Sequence, residues 1–180
     1  RRIWDFHIYS FYGPYTAELT AVSDSGCVGS ATTDLEVYPY PTSVFSFSDD
    51  EGCTPVEIDF TEESTIATDY SIGSFEWLFG DGATSNSQLP SHTYVSPSIY
   101  DVTLITTTAG GGCADTLTRT DAISIYVTPN ANFFHSPTNA TMLDPRIRFT
   151  NTTINGVEYL WDFGDGTIST MVEPMNVYAE

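Results

Sequence analysis

Trp77-Leu78-Phe79-Gly80-Asp81-Gly82 recurs as Trp161-Asp162-Phe163-Gly164-Asp165-Gly166, 84 residues further along the chain. A repeat of that length and detail makes the chain an array of similar modules. Within the motif, Trp and Phe alternate as on a strand with one buried face, and Gly-Asp-Gly then supplies a tight turn that needs positive φ. Asp81 and Asp165 are accordingly read as turn-formers and not as catalytic acids. Asp162 stands opposite Leu78 of the other copy, so no second carboxylate recurs beside the first.

Other matches keep nearly the same phase. His7-x-Tyr9, Tyr15 and Leu19 match His92-x-Tyr94, Tyr100 and Leu104 at an offset of 85, and Gly26-Cys27 matches Gly112-Cys113 at 86. Val37, Pro41 and Phe45 match Ile125, Pro129 and Phe133 at 88, while Pro90, His92 and Tyr94 match Pro174, Asn176 and Tyr178 at 84. Small loop insertions between related modules produce such drift. The expected division is a back half-module over 1–40, a complete module over 41–128 and a front half-module over 129–180. Tyr38-Pro39-Tyr40-Pro41 and Thr128-Pro129-Asn130 link them, and short Pro-containing linkers favour stiff junctions and a rod-like string. A half-sandwich exposes apolar faces and unpaired edges. Two readings stand open: the chain is a window on a longer array, or the end of one chain is completed by the start of another.

The strand signals within the complete module are strong. Val44 to Ser48 opens it; Val56, Ile58 and Phe60 alternate with Glu57 and Asp59; Ser74 to Phe79 is the Trp strand. Tyr100, Val102 and Leu104 alternate with Asp101 and Thr103, and Ile123, Ile125 and Val127 close the module. No segment shows sustained helical periodicity. The expected class is all-β, with tandem antiparallel β-sandwiches of immunoglobulin type.

The combined pattern resembles the polycystic-kidney-disease (PKD) repeat: Trp-x-Phe-Gly-Asp-Gly, then Pro-x-His-x-Tyr, then Tyr100-Asp101-Val102-Thr103-Leu104. Cys53 with Gly112-Cys113 near Asp115 is similar to a subset of such repeats in large secreted and surface proteins of Bacteroidota. That resemblance implies an extracellular or cell-surface site, and neighbouring PKD-like modules of the same or another chain as partners. Departures are modest: Asn176 replaces the family's His, and Leu78 stands where an acidic residue is common. A disulfide between Cys53 and Cys113, closing one module, is expected in an oxidising compartment. Cys27 is the repeat equivalent of Cys113, and Met142 stands where Cys53 aligns.

Composition narrows the function classes. There are 24 acidic residues against five Arg and no Lys, for a net charge of −19. Nucleic acid would be repelled by that charge. No apolar run approaches the roughly 20 residues of a spanning helix, and neither end reads as a signal peptide. No cofactor is expected. Calcium is the one cation that the acidic surplus brings into consideration, yet Asp49-Asp50-Glu51 and Glu62-Glu63 lack the alternating spacing of an EF-hand loop. No Cys-x-x-Cys, phosphate loop or Gly-x-Ser-x-Gly is present. His7 and His92 are read as a repeated side chain bonded to backbone near a turn, and His135 carries no role.

Equivalent strands carry opposite charge: Glu57 and Asp59 align with Arg146 and Arg148, with Ile58 and Ile147 kept between them. These faces are candidates to meet between modules or chains and set register. Asn139 and Asn151 fit the N-linked glycosylation pattern, and Asp115-Thr116-Leu117 an O-linked one. Taken together, the expectation is a non-enzymatic extracellular segment: stalk, adhesin or surface-filament scaffold. The alternative is a carbohydrate- or protein-binding accessory module of a secreted hydrolase, with Tyr12, Tyr15, Tyr38 and Tyr40 as an aromatic platform for surface glycans.

Overall fold

A computed structural model describes residues 6–178, which form strands and loops throughout. Residues 1–5 of the expected first half-module lie outside the described residues. The chain divides into two compact units, Arg1–Ile125 and Tyr126–Glu180.

The first unit begins with an antiparallel hairpin of β1 (Gly13–Val22) and β2 (Val28–Val37), in register from Gly13↔Val37 to Val22↔Val28. There follow β3 (Phe45–Phe47), β4 (Glu51–Cys53), β5 (Val56–Glu62), β6 (Ile72–Leu78), β7 (Thr84–Ser85), β8 (Ser91–Tyr94), β9 (Ser98–Thr108) and β10 (Ala114–Tyr126). These eight strands make two sheets, ordered β3-β5-β8 and β4-β10-β9-β6-β7. The antiparallel pairing and the Trp-centred core between two sheets are those of an immunoglobulin-like β-sandwich.

Period-two alternation decides which side chains enter that core. Along β9, Tyr100, Val102, Leu104, Thr106 and Thr108 are buried while the residues between them are half-buried or exposed. On β5, Ile58 and Phe60 point inward, and Glu57 and Asp59 point to solvent. Trp77 has no exposed surface and packs against Phe45 at 5.3 Å and Phe60 at 5.6 Å between ring centroids. Burial of each such side chain contributes about 1.5–3 kcal/mol. The Arg119 guanidinium of β10 lies 4.7 Å over the Phe45 ring and 5.5 Å from that of Phe47.

The second unit contains β11 (Phe133–Ser136), β12 (Arg146–Asn151), β13 (Trp161–Asp162), β14 (Ile168–Ser169) and β15 (Met175–Val177). Their sheets are β11-β12-β15 and β13-β14. Strand for strand these repeat β3-β5-β8 and β6-β7 of the first unit.

Candidate interaction surface

The Gly-Asp-Gly turn builds a fixed polar cluster under the sandwich. Asp81 accepts the Ala83 N–H at 2.9 Å through one oxygen and meets His92 Nε2 at 2.8 Å through the other. The imidazole lies flat on Phe79, with centroids 4.3 Å apart and planes 5° apart. His92 thus bonds a carboxylate, where the sequence suggested backbone. Partial burial pushes the Asp81 carboxyl upward, but the Ala83 N–H and His92 outweigh it and hold it below the ordinary aspartate value. Tyr94 donates its hydroxyl to the Phe79 carbonyl at 3.0 Å, and burial, with the nearby Asp81 charge, pushes its ionisation up. Trp77 donates its ring N–H to the Ser87 carbonyl at 2.9 Å.

The second copy reproduces the set. Trp161 reaches the Met171 carbonyl at 2.8 Å, Tyr178 reaches the Phe163 carbonyl at 3.1 Å, and Asp165 accepts the Thr167 N–H at 2.9 Å. Asn176 takes the place of His92 and donates its amide to Asp165 at 2.7 Å. The Thr167 hydroxyl and N–H, with Asn176, hold the Asp165 carboxyl below its usual range. In both copies the turn aspartate thus holds a turn N–H and a side chain of the strand that follows.

A tyrosine cluster joins the first hairpin to the sandwich. Tyr70 packs edge-on against Tyr12 at 5.7 Å and Tyr38 at 5.9 Å, and its hydroxyl donates to the Glu36 carboxylate. That bond, with some desolvation, pushes the Tyr70 phenol up to about 12. Thr108 donates its hydroxyl to the Pro39 carbonyl at 2.9 Å. Gly111 lies under Tyr38, where an added Cβ would come within 2.2 Å of the ring's Cγ. Of the four tyrosines picked out as a platform, Tyr38 is thus committed to packing, and Tyr15 donates its hydroxyl to the Phe11 carbonyl. Tyr12 and Tyr40 remain exposed.

The expected bridge between Cys53 and Cys113 is not formed: Cys27, Cys53 and Cys113 are all free thiols. Cys53 ends the short strand β4, which joins β10 through the Ser124 N–H and Asp50 carbonyl at 2.7 Å. Cys113 precedes the opposite end of β10. Allowing for its bulge, β10 spans β9 from Thr107 to Ser98, so at about 3.3 Å per residue its two ends are about 30 Å apart, far beyond the roughly 7 Å a disulfide spans. The spacing in sequence does not show this, because strand β4 joins β10 in the larger sheet and not its sequence neighbour β5.

The four charges aligned on β5 and β12 are exposed, as their alternation requires. Arg146 pairs with Asp144 at 2.9 Å and Arg148 with Glu173 at 3.2 Å, and the Asp59 carboxylate accepts the Ser91 hydroxyl. Among the described residues, no three His, Cys, Asp or Glu side chains gather as metal ligands would. Among the described residues, no helix is long and apolar enough to cross a membrane.

The sequence reading missed two roles. Tyr100 donates its hydroxyl to the Ser96 carbonyl at 2.8 Å, and Tyr15 does the same to Phe11 at 2.9 Å, both four residues back. These are tyrosine corners, signalled in the sequence only by the shared offset. Arg119, lying over Phe45, carried no signal.

The two-sheet arrangement and its Trp-centred core define the class as an immunoglobulin-like β-sandwich module. Residues 40–125 match the PKD domain family, so the chain carries a PKD domain over that span. Over 80 residues the chain is 35% identical to collagenase ColA of Clostridium perfringens (strain 13 / Type A), which covers 44% of this chain and 7% of the collagenase. The PKD1 domain of Vibrio anguillarum Epp superposes with a TM-score of 0.41 at 26% identity, over 48% of this chain and 96% of that domain. The PKD1 domain of the Vibrio cholerae metalloprotease PrtV gives 0.40 at 26% identity, over 49% and 99%. A carbohydrate-binding module of the β-sandwich superfamily gives 0.45 at 21% identity, over 62% and 54%.

Proposed function

We propose that the chain is a non-catalytic segment of an extracellular protein, serving as a stalk, adhesin segment or surface-filament scaffold. One observation carries this reading. The carboxylate of each recurring turn is engaged by a turn N–H and by a side chain of the strand that follows, in the same way in both copies. A general base needs a free lone pair facing a substrate site. Asp81 and Asp165 instead hold turn N–H groups and a neighbouring side chain. The surplus of negative charge suits a soluble surface module. Register between modules or chains is assigned in this reading to Glu57 and Asp59 facing Arg146 and Arg148. Replacing both arginines by Glu is expected to weaken association in sedimentation experiments, and an unchanged assembly state would remove that assignment.

A second reading is favoured by a cleft of about 480 Å³ lined by Tyr12, Glu36, Asp69 and Tyr70. An aromatic face beside carboxylates suits a sugar ring and its hydroxyls. It is the alternative of an accessory module on a secreted hydrolase, in line with the partial likeness to a collagenase. Binding of the purified chain to a glycan array and to collagen separates the two. The scaffold reading expects neither to be retained. Retention that is lost in Tyr12→Ala would establish the accessory module instead. Hydrolysis of any of these polymers, lost in Asp81→Asn, would overturn the non-catalytic reading altogether.

A further inference from the structure

The cleft between the first hairpin and the sandwich joins aromatic walls to negative charge. Tyr12 and Tyr70 stand edge to face, their centroids 5.7 Å apart and their planes at 88°, so the two rings form a corner. Tyr38 backs Tyr70 at 5.9 Å, and the Tyr70 hydroxyl donates to one oxygen of Glu36, which together fix that ring in place. Asp69, next to Tyr70 in the chain, adds a second exposed carboxylate to the lining of the same space, about 480 Å³.

This side of a module stays open when its sandwich is complete. Glu36 lies opposite Pro14 as Ser124 lies opposite Ile99. Ser124 is flanked by Ile123 and Ile125, which turn into the core, so this position faces outward. Ile99, surrounded by both sheets of its own sandwich, is still 60% exposed. The cleft is therefore an outer surface at the junction and not part of an uncovered core.

Among the described residues no cation occupies it. Arg119 lies over Phe45, Arg146 and Arg148 pair with Asp144 and Glu173, and the chain has no Lys. The charges of Glu36 and Asp69 add to the hydrogen bond and the desolvation that keep Tyr70 protonated. A field that opposes a phenolate favours a cation in the same place. The face of a tyrosine ring attracts a cation as well, through its quadrupole. A neutral sugar would gain from neither charge.

We propose that this cleft is a docking site for an arginine side chain of a partner protein. A guanidinium matches both halves of the site, because its plane lies on a tyrosine ring while its N–H edge reaches a carboxylate. An ammonium is a compact and more strongly hydrated charge that cannot stack in this way. The excess of 24 acidic residues over five arginines draws a basic partner toward the same surface. The inference goes beyond the scaffold reading by giving the junction a kind of partner, and it competes with the sugar of the accessory-module reading for one cleft.

NMR titration of the full chain, followed at its tyrosine ring signals, tests this. The probes are four: the capped tripeptide acetyl-Gly-Arg-Gly-amide, its lysine and citrulline analogues, and methyl β-glucoside. Saturable shifts at Tyr12 and Tyr70 are expected from the arginine peptide, with affinity falling as salt is raised. The lysine peptide should bind more weakly, and the citrulline peptide, alike in shape but uncharged, should not bind. Tyr12→Ala and Asp69→Asn replace exposed side chains, and each should weaken the arginine peptide about twofold to fivefold, the loss of one exposed cation–π contact or ion pair. Glu36→Gln keeps an acceptor for the Tyr70 hydroxyl while removing the charge, and should weaken it to a similar degree. Circular dichroism checks that each variant keeps its strands. Absence of saturable shifts would overturn the proposal, as would equal binding of the citrulline peptide or binding untouched by Tyr12→Ala and Asp69→Asn. Lysine binding as tight as arginine would overturn the assignment to a guanidinium. Shifts from the glucoside and none from the arginine peptide would overturn it in favour of a glycan site.

Discussion

His92 and Asn176 occupy the same seat and make the same bond, one to Asp81 and the other to Asp165. What the seat requires is a donor aimed at the turn carboxylate. His92→Ala should therefore cost about 1–3 kcal/mol in urea denaturation by leaving that oxygen partly shielded and unpaired, and His92→Asn should recover most of the loss. Equal losses would mean that stacking on Phe79, not the hydrogen bond, is what matters. Asp81 also sets an acid limit. Its carboxyl is held below the ordinary value of about 4, so on acidification the unfolded chain takes up the proton first. Its contribution is complete above that ordinary value and is lost as pH falls through the lower folded one. Asp81→Asn should flatten this part of the stability profile; a profile of unchanged steepness would assign the acid sensitivity elsewhere. The two glycines of the motif differ through their surroundings. Gly80 and Gly164 share positive φ, at 86° and 77°, but only Gly80 faces a neighbouring backbone oxygen. Gly80→Ala should cost more than about 2 kcal/mol and Gly164→Ala about 1 kcal/mol, the strain of the backbone alone.

At the scale of the element, the Trp strand shows how pairing sets length. The local sequence predicts the same strand in both copies, yet β6 runs over Ile72–Leu78 and β13 only over Trp161–Asp162. The difference lies in the partner, since β9 supplies β6 with a ladder along its whole length. A strand edge without a partner has no hydrogen bonds to hold residues 156–160 extended. The cysteines teach the same lesson. Cys53 lies on a short separate strand that crosses to the larger sheet, and this crossing places it at the far end of β10 from Cys113. Alkylation without reductant should accordingly label all three cysteines in the denatured chain. Cys53→Ser should leave stability within about 0.5 kcal/mol, where loss of a true bridge costs 2–5. Protection of a Cys53–Cys113 pair from alkylation would overturn the free-thiol assignment.

For the whole molecule, the β1–β2 hairpin forms a two-stranded sheet of its own beside the two sheets of the sandwich, among the described residues. The first hairpin is secured to its neighbour by Tyr70, Tyr38 and the Thr108–Pro39 bond, none of which touches its exposed Leu19. Tyr70→Ala should therefore loosen the hairpin without unfolding the sandwich. Hydrogen exchange would show this as faster exchange in residues 13–37 and unchanged protection in β5 and β9. Faster exchange everywhere would make the tyrosine cluster part of one cooperative core instead. The sandwich class, the inward residues of β5 and β9 and the turn at each Gly-Asp-Gly are legible in the residue pattern. Those follow from alternation and local backbone preference, which are properties of neighbouring residues. The folded chain alone reveals that His92 meets a carboxylate, that Arg119 covers Phe45 and that Cys53 and Cys113 lie apart. Each of these depends on which strand lies next to which, and strand adjacency is set by pairing between segments distant in sequence.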